Sequence, residues 1–415
     1  MNKKLIALAI AGAFAAPFAM ADDSNVVIYG EFAGSADYVS GGNYKSTVVT
    51  PVGQSPSGGL VAASGEYRGR VSSNNSFIGF KGTEDLGNGW AAVWQYEQSI
   101  AIDQQNIGDS SGGLTGGSNQ TRRNTFVGLS SKQLGAMTLG VQDTPFKTST
   151  GPLDVFGQHT LADYRSIWGT INGAPVASIR AQNSVMYTSP NMAGLTIKAL
   201  AAAQNEAGNS VAVGFSGASS ASTVNNPHYY SANVTYANGP IYAAVAYEDN
   251  RTVTALAVPT IQDLSYKNWR LGGGYSFAGF KVGLAYERIR AHGQSPAAAA
   301  PAVAQEVYRQ AWYLPVSYQF GNNTIKAAYT KAGKTNQKSG AAYDMSFNDG
   351  AKQFSLGFDH AMSKRTNVYA LYTQVRNDAN GSYSLGGGGT GIAPVAAASY
   401  GEDPRAFSVG MVHKF

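Results

Sequence analysis

The chain has 415 residues, no cysteine and a formal net charge of +5 at pH 7. The absence of cysteine excludes a disulfide framework and a thiolate metal site. A net charge this small, without a clustered basic arm, does not predict nucleic-acid binding. Only 13% of the residues are charged, whereas glycine and tyrosine number 50 and 24, and this composition argues against disorder.

The first segment in chain order is typical of an export signal. A short basic start precedes an apolar run over residues 5–18, and small residues flank a cleavage position after Ala21. The run is too short for a membrane-spanning helix, and no later stretch is long and apolar enough to form one. The sequence therefore predicts a signal peptide over residues 1–21 and one mature domain over residues 22–415.

Beyond the signal, apolar and polar residues alternate with a period of two. The segments WAAVWQYEQ (residues 90–98) and YYSANVTY (residues 229–236) are typical. Such alternation predicts strands with one apolar and one polar face, and helical spacing is hard to find. About sixteen strands are predicted, near residues 26–39, 71–83, 90–102, 122–131, 136–142, 180–188, 195–205, 228–237, 241–249, 268–277, 280–290, 308–320, 324–333, 352–360, 366–377 and 405–415.

The connections between these strands alternate in length. Turn-forming segments such as residues 85–89 and 237–240 alternate with long polar stretches such as residues 40–70 and 378–404. An even number of strands of about ten residues, joined in this way, is typical of a transmembrane β-barrel. Because an unpaired backbone group in hydrocarbon costs several kcal/mol, the last strand must pair with the first. An exported, soluble β-rich adhesin remains the alternative for this pattern.

One connection, about residues 143–179, is unusually long for its place in the chain. It contains the large apolar residues Phe146, Leu153, Phe156 and Trp168. Apolar side chains in a long loop indicate that the loop packs against another surface, and the barrel wall is the surface available. We therefore expect this third long loop to fold against the wall.

Several motifs spread over the mature chain carry a family resemblance. They are VVIYGEF, FIGFKGTEDLGNGWAAVWQYE, RRNTFVGLSS, MTLGVQDTPF, RAQNSVMYTSPNMAGL and VGMVHKF. Together they resemble the general diffusion porins of Gram-negative bacteria, of the beta-proteobacterial and neisserial type. The resemblance implies an all-β, 16-stranded antiparallel transmembrane barrel with short periplasmic turns, long extracellular loops and an inward-folded third loop.

The resemblance also implies a function and partners. Such proteins form water-filled channels in the cell outer membrane for passive diffusion of ions and small hydrophilic solutes, without a cofactor. A homotrimer is implied, in contact with outer-membrane lipid and lipopolysaccharide and inserted by the outer-membrane assembly machinery. Phe415, at the end of the last strand, is the implied assembly signal.

Porins of this kind place basic wall residues opposite acidic loop residues at the pore constriction. The matching wall candidates are Arg180 and either Arg122 or Arg123, between which strand parity does not decide, and parity adds Lys81 to the basic wall. The loop candidates are Asp143, Asp154 and Asp163. The chain departs from the pattern at Phe77, where relatives often carry a basic residue, so part of the positive cluster is replaced.

Strand parity predicts which other charges face the lumen. The basic set is Lys81, Arg180, Lys198, Arg270, Lys281, Lys326 and Lys352, and the acidic set is Glu31, Glu97, Glu248, Glu287 and Asp359. Basic residues are slightly in excess, which favours a weak anion preference, because a pore selects by its width and its lining charges. The alternative is that these charges pair with each other across the wall.

The sequence also bears on two other classes of function. The five histidines are scattered, no diagnostic catalytic or metal-binding spacing is present, and an enzyme, such as a barrel hydrolase, is therefore not predicted. A substrate-selective channel for a sugar or organic acid stays open as the alternative within the same architecture. In that case aromatic residues such as Tyr29, Tyr242 and Tyr313 would line the solute path.

Overall fold

The computed structural model of the chain describes residues 25–41, 67–103, 123–172, 174–177, 180–203, 228–256, 261–294, 304–339, 343–386 and 400–415. The predicted signal peptide and Arg122 lie outside these described residues. Within them, none of the helical segments is long and apolar enough to cross a membrane. Regular structure there is dominated by β-strands.

The chain runs first through six strands and then into the third loop. The strands are β1 (Asn25–Ser40), β2 (Tyr67–Ser73), β3 (Phe77–Gly87), β4 (Trp90–Ser99), β5 (Thr125–Ser131) and β6 (Gly135–Asp143). The loop contains a one-turn helix α1 (Pro145–Thr148), 3₁₀ turns at Gly151–Leu153 and Tyr164–Ser166, and the short strands β7 (Thr170–Ile171) and β8 (Ala174–Pro175).

After the loop, the chain returns to the barrel wall. The remaining strands are β9 (Arg180–Thr188), β10 (Leu195–Ala203), β11 (His228–Asn238), β12 (Ile241–Leu256), β13 (Ile261–Phe277), β14 (Phe280–Gln294), β15 (Ala304–Phe320), β16 (Asn323–Ala332), β17 (Asn336–Ser339), β18 (Tyr343–Ser346), β19 (Ala351–Ala361), β20 (Thr366–Asn377) and β21 (Arg405–Lys414). The β17–β18 hairpin extends the wall beyond β15.

The described strands close into a sixteen-stranded antiparallel barrel, which confirms the predicted fold. The segments β2 and β3 act as one interrupted strand, because both pair with β1. The barrel closes where β21 pairs with β1, with Lys414 opposite Glu31 and Arg405 opposite Ser40. As expected for a sheet in hydrocarbon, no edge is left along this seam.

The two faces of the wall differ in the way that the alternation predicts. In β19, Gln353 is 1% exposed and faces inward, whereas its neighbour Phe354 is 50% exposed and faces outward. The outer face carries aromatic rings near the short turns, including a series of ring contacts formed by Phe277, Phe280 and Tyr318. Aromatic girdles of this kind mark the membrane interfaces of transmembrane barrels.

The buried core of the molecule lies inside the barrel, between the third loop and the wall. Leu153, Phe156 and Trp168 of the loop pack against small wall residues such as Ala285 and Ala311. A second cluster joins loop residues, Phe146 among them, to β12, β13, β14 and β15. The apolar residues of the loop therefore fold inward, as the sequence predicts.

The structure corrects the parity assignment of Lys352. It was expected to face the lumen, but its neighbours Ala351 and Gln353 are buried inside the barrel while Lys352 is exposed on the outer face. The pairing of β19 with β16 and β20 runs without a bulge, so Lys352 cannot share a face with Asp359. The two residues are seven positions apart, and an odd difference places them on opposite faces of a strand.

Candidate pore constriction

A buried ion-pair cluster fixes the third loop to the wall. Glu287 pairs with Arg270 and with Arg309, and all three side chains are almost fully buried. The guanidinium groups also donate to loop carbonyls, Arg270 to Phe146 at 2.8 Å and Arg309 to Ile167 at 2.8 Å. Glu287 Oε1 accepts a hydrogen bond from the backbone N–H of Gly169 in the loop at 2.8 Å. We call Arg270, Glu287 and Arg309 the loop clamp.

Glycines in the wall provide a seat for the loop tip. A Cβ atom on Gly274 would lie 2.7 Å from Leu153 Cδ2, and one on Gly272 would lie 2.9 Å from Leu153 Cδ1. On β19, a Cβ atom on Gly357 would lie 2.7 Å from the Phe156 ring. The glycine-rich segment of β13 therefore lets the loop approach the backbone closely, which is a structural use of glycine.

The opposite side of the loop faces a more exposed set of charges. Asp143 accepts a hydrogen bond from Lys147 Nζ at 2.7 Å and forms an ion pair with Arg180 Nε at 3.0 Å. Arg123 Nε pairs with Glu97 at 3.3 Å. These side chains keep between 9% and 19% of their surface accessible. We call these five residues the charged cluster. It brings together Asp143, Arg123 and Arg180 from the predicted constriction.

Neutral side chains orient the arginines of the charged cluster. Arg180 Nε donates to Asn124 Oδ1 at 3.3 Å, and Arg123 donates to Asn75 Oδ1 at 2.6 Å. Asn75 has a φ of 61° at the break between β2 and β3, which is a conformation that asparagine tolerates. The Phe77 ring lies 4.3 Å from the Arg123 guanidinium. Phe77 thus supports an arginine by a cation–π contact.

Burial affects the charge of the loop lysine in this cluster. Burial lowers the pKa of Lys147 to about 7, while the nearby Asp143 carboxylate opposes that change and Arg180 adds to it. Lys147 lies in α1, outside the membrane-spanning strands. Its ammonium group can therefore lose its proton near neutral pH.

The other two loop carboxylates lie elsewhere, within the loop itself. Asp154 Oδ1 accepts the backbone amides of Phe156 and Gly157 at 3.0 and 3.1 Å. Burial raises the pKa of Asp154, and the nearby Asp163 carboxylate raises it further. Asp163 is 0% exposed and forms a bidentate ion pair with Arg165. The structure does not bring these two carboxylates into contact with the predicted basic wall.

Three lysines on the lumen face have no carboxylate partner among the described residues. Lys81, Lys198 and Lys281 face inward, and within the described residues none is paired with a carboxylate. Lys81 lies 5.0 Å from the centre of the Tyr29 ring. By contrast, Lys326 is paired with Asp359 at 2.7 Å. Some of the predicted lumen charges are therefore paired and others are not.

The tyrosines of the substrate-selective alternative are already engaged by the protein. Tyr313 is buried and stacks on Tyr164 of the loop, with ring centres 4.3 Å apart. Tyr242 donates to a loop carbonyl at 2.6 Å, and Tyr29 donates to Glu97 at 2.8 Å. Two of the three therefore hold the loop, and the third supports the charged cluster. In the described part of the chain, no group of three or more His, Asp or Glu residues could hold a metal ion.

Phe415, the predicted assembly signal, completes the barrel seam. Its backbone exchanges hydrogen bonds with Gly30 at 3.1 and 3.2 Å, and its ring stacks on Phe32 at 5.4 Å. A Cβ atom on Gly30 would lie 2.6 Å from the Phe415 ring. The last residue is therefore packed into the seam.

Sequence reasoning missed three residues of this site. Arg309 was not selected, although it shares the inward parity of Tyr313 in the same predicted strand, and that signal could have identified it. Lys147 lies in the loop, where no period applies. Asn75 lies at a strand break that the alternation does not show.

A closed barrel with an apolar outer face, a charged lumen and an inward-folded loop is the architecture of a membrane channel. The chain belongs to the Gram-negative porin family, whose family model matches residues 7–381. It is accordingly a porin of the bacterial outer membrane, in a family of channels rather than enzymes.

Similar proteins agree with this assignment. An outer membrane porin protein of Bordetella pertussis is 28% identical over 328 residues, which cover 73% of this chain and 77% of that protein. Outer membrane porin protein 32 of Delftia acidovorans is 25% identical over 424 residues and covers all of both chains. Among solved structures, the anion-selective porin from Comamonas acidovorans matches with a TM-score of 0.64 at 22% identity, covering 95% of this chain and 100% of that one.

Proposed function

We propose that this porin passes small hydrophilic solutes by general diffusion and weakly prefers anions. The observation that carries the proposal is the set of lumen lysines without carboxylate partners in the described residues, namely Lys81, Lys198 and Lys281. Unpaired cations along a wet lumen raise the local concentration of anions. The fold neighbour from Comamonas acidovorans is an anion-selective porin, which agrees with the proposal.

The test is the reversal potential of the purified protein in a planar bilayer under a potassium chloride gradient. For the wild type, we expect a reversal potential whose sign indicates a preference for chloride over potassium. Changing the lumen lysine Lys281 to Gln should move the potential toward cations. Lys352→Gln removes the same charge from the outer face and should leave the potential unchanged. Cation preference in the wild type, or equal effects of both substitutions, would contradict the proposal.

We place the selective narrowing at the charged cluster. Arg123, Arg180 and Asp143 keep water-accessible surface, and Lys81 adds a cation on the neighbouring wall. Asp154 and Asp163 act by shaping the loop, because their oxygens bind backbone amides and Arg165. Selectivity should therefore respond more to substitution of Asp143 than of Asp163, when both variants are compared by reversal potential.

General diffusion is favoured over a substrate-selective track because the candidate tyrosines already bind the protein. A general diffusion pore binds solutes weakly, so its solute flux saturates little. Added sugars or organic acids should therefore not block the ionic current. Single-channel conductance in the presence of increasing solute measures this directly. Solute-dependent block at low concentration would instead support a selective channel.

Three further parts of the proposal concern biogenesis and assembly. We propose removal of residues 1–21, which the intact mass of the mature protein would test. We propose a homotrimer in contact with outer-membrane lipid and lipopolysaccharide, which native mass measurement in detergent would test.

We propose that Phe415 is read by the outer-membrane assembly machinery. Phe415→Ala should then reduce membrane insertion more than Phe407→Ala, which removes an outward ring inside the same strand.

A further inference from the structure

The break between β2 and β3 is a β-bulge in the barrel wall. Gly34 of β1 pairs with Ser73, and Glu31 of β1 pairs with Phe77. Three residues of the broken strand therefore lie opposite only two residues of β1. The middle one of the three, Asn75, has a φ of 61°. A bulge of this kind redirects a side chain, and bulges are over-represented beside functional sites.

Hydrogen bonds to both neighbouring strands fix the backbone of the bulge. Ser76 Oγ accepts from the backbone N–H of Ala33 at 2.9 Å and donates to the Ala33 carbonyl at 3.1 Å, in place of the ladder bonds that the extra residue interrupts. The Asn74 N–H donates to the same carbonyl at 2.8 Å. On the other side, the Ile100 N–H donates to the Ser76 carbonyl at 2.8 Å. The wall therefore holds Asn75 at a fixed place.

The Asn75 side chain bridges the charged cluster and the third loop. Its Oδ1 accepts from Arg123 Nη1 at 2.6 Å, and its Nδ2 donates to the Gln158 carbonyl at 3.3 Å. A guanidinium group only donates and a carbonyl group only accepts, so the two partners need an acceptor and a donor at the same place. A carboxamide supplies both, whereas a carboxylate cannot donate to the loop.

The part of the loop that Asn75 contacts is a sharp bend. We call residues 157–159 the loop bend. Gly157 has a φ of 75°, a conformation that favours glycine. At the other end of the bend, His159 Nδ1 lies 3.2 Å from Glu31 Oε1 on β1. The bend therefore contacts the wall at two neighbouring points, and a shift of the bend would displace the carbonyl that Asn75 binds.

Arg123 has a competing partner on the other side of its guanidinium group. Its Nε lies 3.3 Å from Glu97 Oε2. The Glu97 carboxylate is fixed, because its Oε1 accepts from Tyr29 at 2.8 Å and from Gln95 at 3.0 Å. Without the Asn75 amide, we expect the guanidinium group to rotate into a bidentate pair with this carboxylate. Such a pair offsets more of the charge of Arg123 and leaves less positive potential in the lumen.

We propose that Asn75 is a positioning residue for ion selectivity, which couples the place of the loop bend to the orientation of Arg123. The inference rests on the proposed anion preference and adds how the strength of that preference is set. A displaced bend draws the Asn75 amide away from Arg123 and lowers the preference for anions, although every charge of the lumen is retained.

The test is a double-mutant cycle on the reversal potential in a potassium chloride gradient. Asn75→Gly keeps the left-handed backbone and removes both hydrogen bonds. Gly157→Ala displaces the bend, because its Cβ atom would lie 2.6 Å from His159 Cε1. Neither substitution alters a formal charge. Each should lower the ratio of anion to cation permeability about twofold, less than loss of a full unit charge would, and the double variant should change no more than either single variant.

Two matched controls separate the bridge from general effects of these substitutions. Asn88→Gly makes the same change at a left-handed asparagine, with a φ of 52°, in the short turn between β3 and β4. Gly151→Ala adds a methyl group to the third loop at a place where nothing lies within 4 Å of the new Cβ atom. Both control variants should keep the reversal potential of the wild type.

The outcomes separate this inference from the proposed function. If Arg123→Gln shifts the reversal potential and Asn75→Gly does not, the inference is overturned and the anion preference stands. Additive shifts in the double variant would overturn the coupling. If Asn75→Gly does not fold, Gly157→Ala still leaves the bulge intact, and an unchanged potential in that variant overturns the inference by itself. No shift in Arg123→Gln would overturn both the placement of selectivity at the charged cluster and the inference.

Discussion

The two sides of the third loop use the same residue types in different surroundings. On one side, the loop clamp is 0% to 1% exposed and its arginines hold loop carbonyls. On the other side, the charged cluster keeps between 9% and 19% of its side-chain surface accessible. A buried charge must be fully paired or it costs several kcal/mol, whereas an accessible charge is screened by water. The comparison teaches that burial, rather than residue type, assigns an arginine to stability or to selectivity.

The largest effect is expected when the loop clamp loses its carboxylate. Glu287→Gln leaves Arg270 and Arg309 buried without a counter-charge, which should cost about 3–5 kcal/mol. The loop should detach from the wall, with a lower unfolding temperature in detergent and larger, noisier single-channel currents. Glu97→Gln in the charged cluster is the matched control and should cost less, because its partner Arg123 keeps 13% of its side-chain surface accessible and also donates to Asn75. Equal loss of stability in both variants would remove the distinction between the two sides.

The β13 glycines that contact Leu153 provide a second test, with a smaller expected effect, on the side of the loop clamp. Gly274→Ala places a Cβ atom 2.7 Å from Leu153 Cδ2, and overpacking of this kind costs about 1–3 kcal/mol. Adding Leu153→Ala should restore part of that loss, because the clash is removed. Gly273→Ala meets nothing closer than 3.8 Å and controls for the general effect of alanine in a strand. The measurement is a double-mutant cycle of thermal unfolding; additive losses would show that the seat is not what positions the loop.

In the charged cluster, substitution should change ion selectivity more than the stability of the fold. Arg180→Gln removes a cation that pairs with Asp143 at 3.0 Å. A unit charge about 4 Å away is worth about 1 kcal/mol in water, so the ratio of anion to cation permeability should fall by up to about fivefold. The unfolding temperature should change little, because accessible ion pairs contribute about 0–1 kcal/mol. A large drop in stability with unchanged reversal potential would place Arg180 with the clamp instead.

Much of the barrel could be predicted from the sequence, because strand alternation is imposed locally by one wet and one apolar side. The closing pair β1–β21 and the inward faces of Glu31, Glu97 and Arg270 follow from that pattern. Lys352 was placed wrongly because parity must be counted without a break along β19, and its distance from Asp359 is odd. The pattern gives the face of a side chain and does not give what covers that face.

The third loop shows where local reasoning ends. Arg270 does face inward, but the loop covers it, so it holds the carbonyl of Phe146. That contact joins residues far apart in the chain, and no period in the sequence encodes it. The role of the β13 glycines as a seat for Leu153 likewise depends on the path of the loop.

The smallest expected effect concerns pH and the single loop lysine of the charged cluster. Burial lowers the pKa of Lys147 to about 7, so its ammonium group is charged below that pH and loses its proton above it. The anion preference should therefore fall as the pH rises through about 7, by less than Arg180→Gln produces, because Asp143 remains paired with Arg180. Reversal potentials are compared between wild type and Lys147→Met, both in a His159→Gln background so that this residue beside Glu31 does not contribute. If the reversal potential of Lys147→Met changes with pH as steeply as that of its parent, the pH dependence belongs to another group. The selectivity of the charged cluster would then not depend on Lys147.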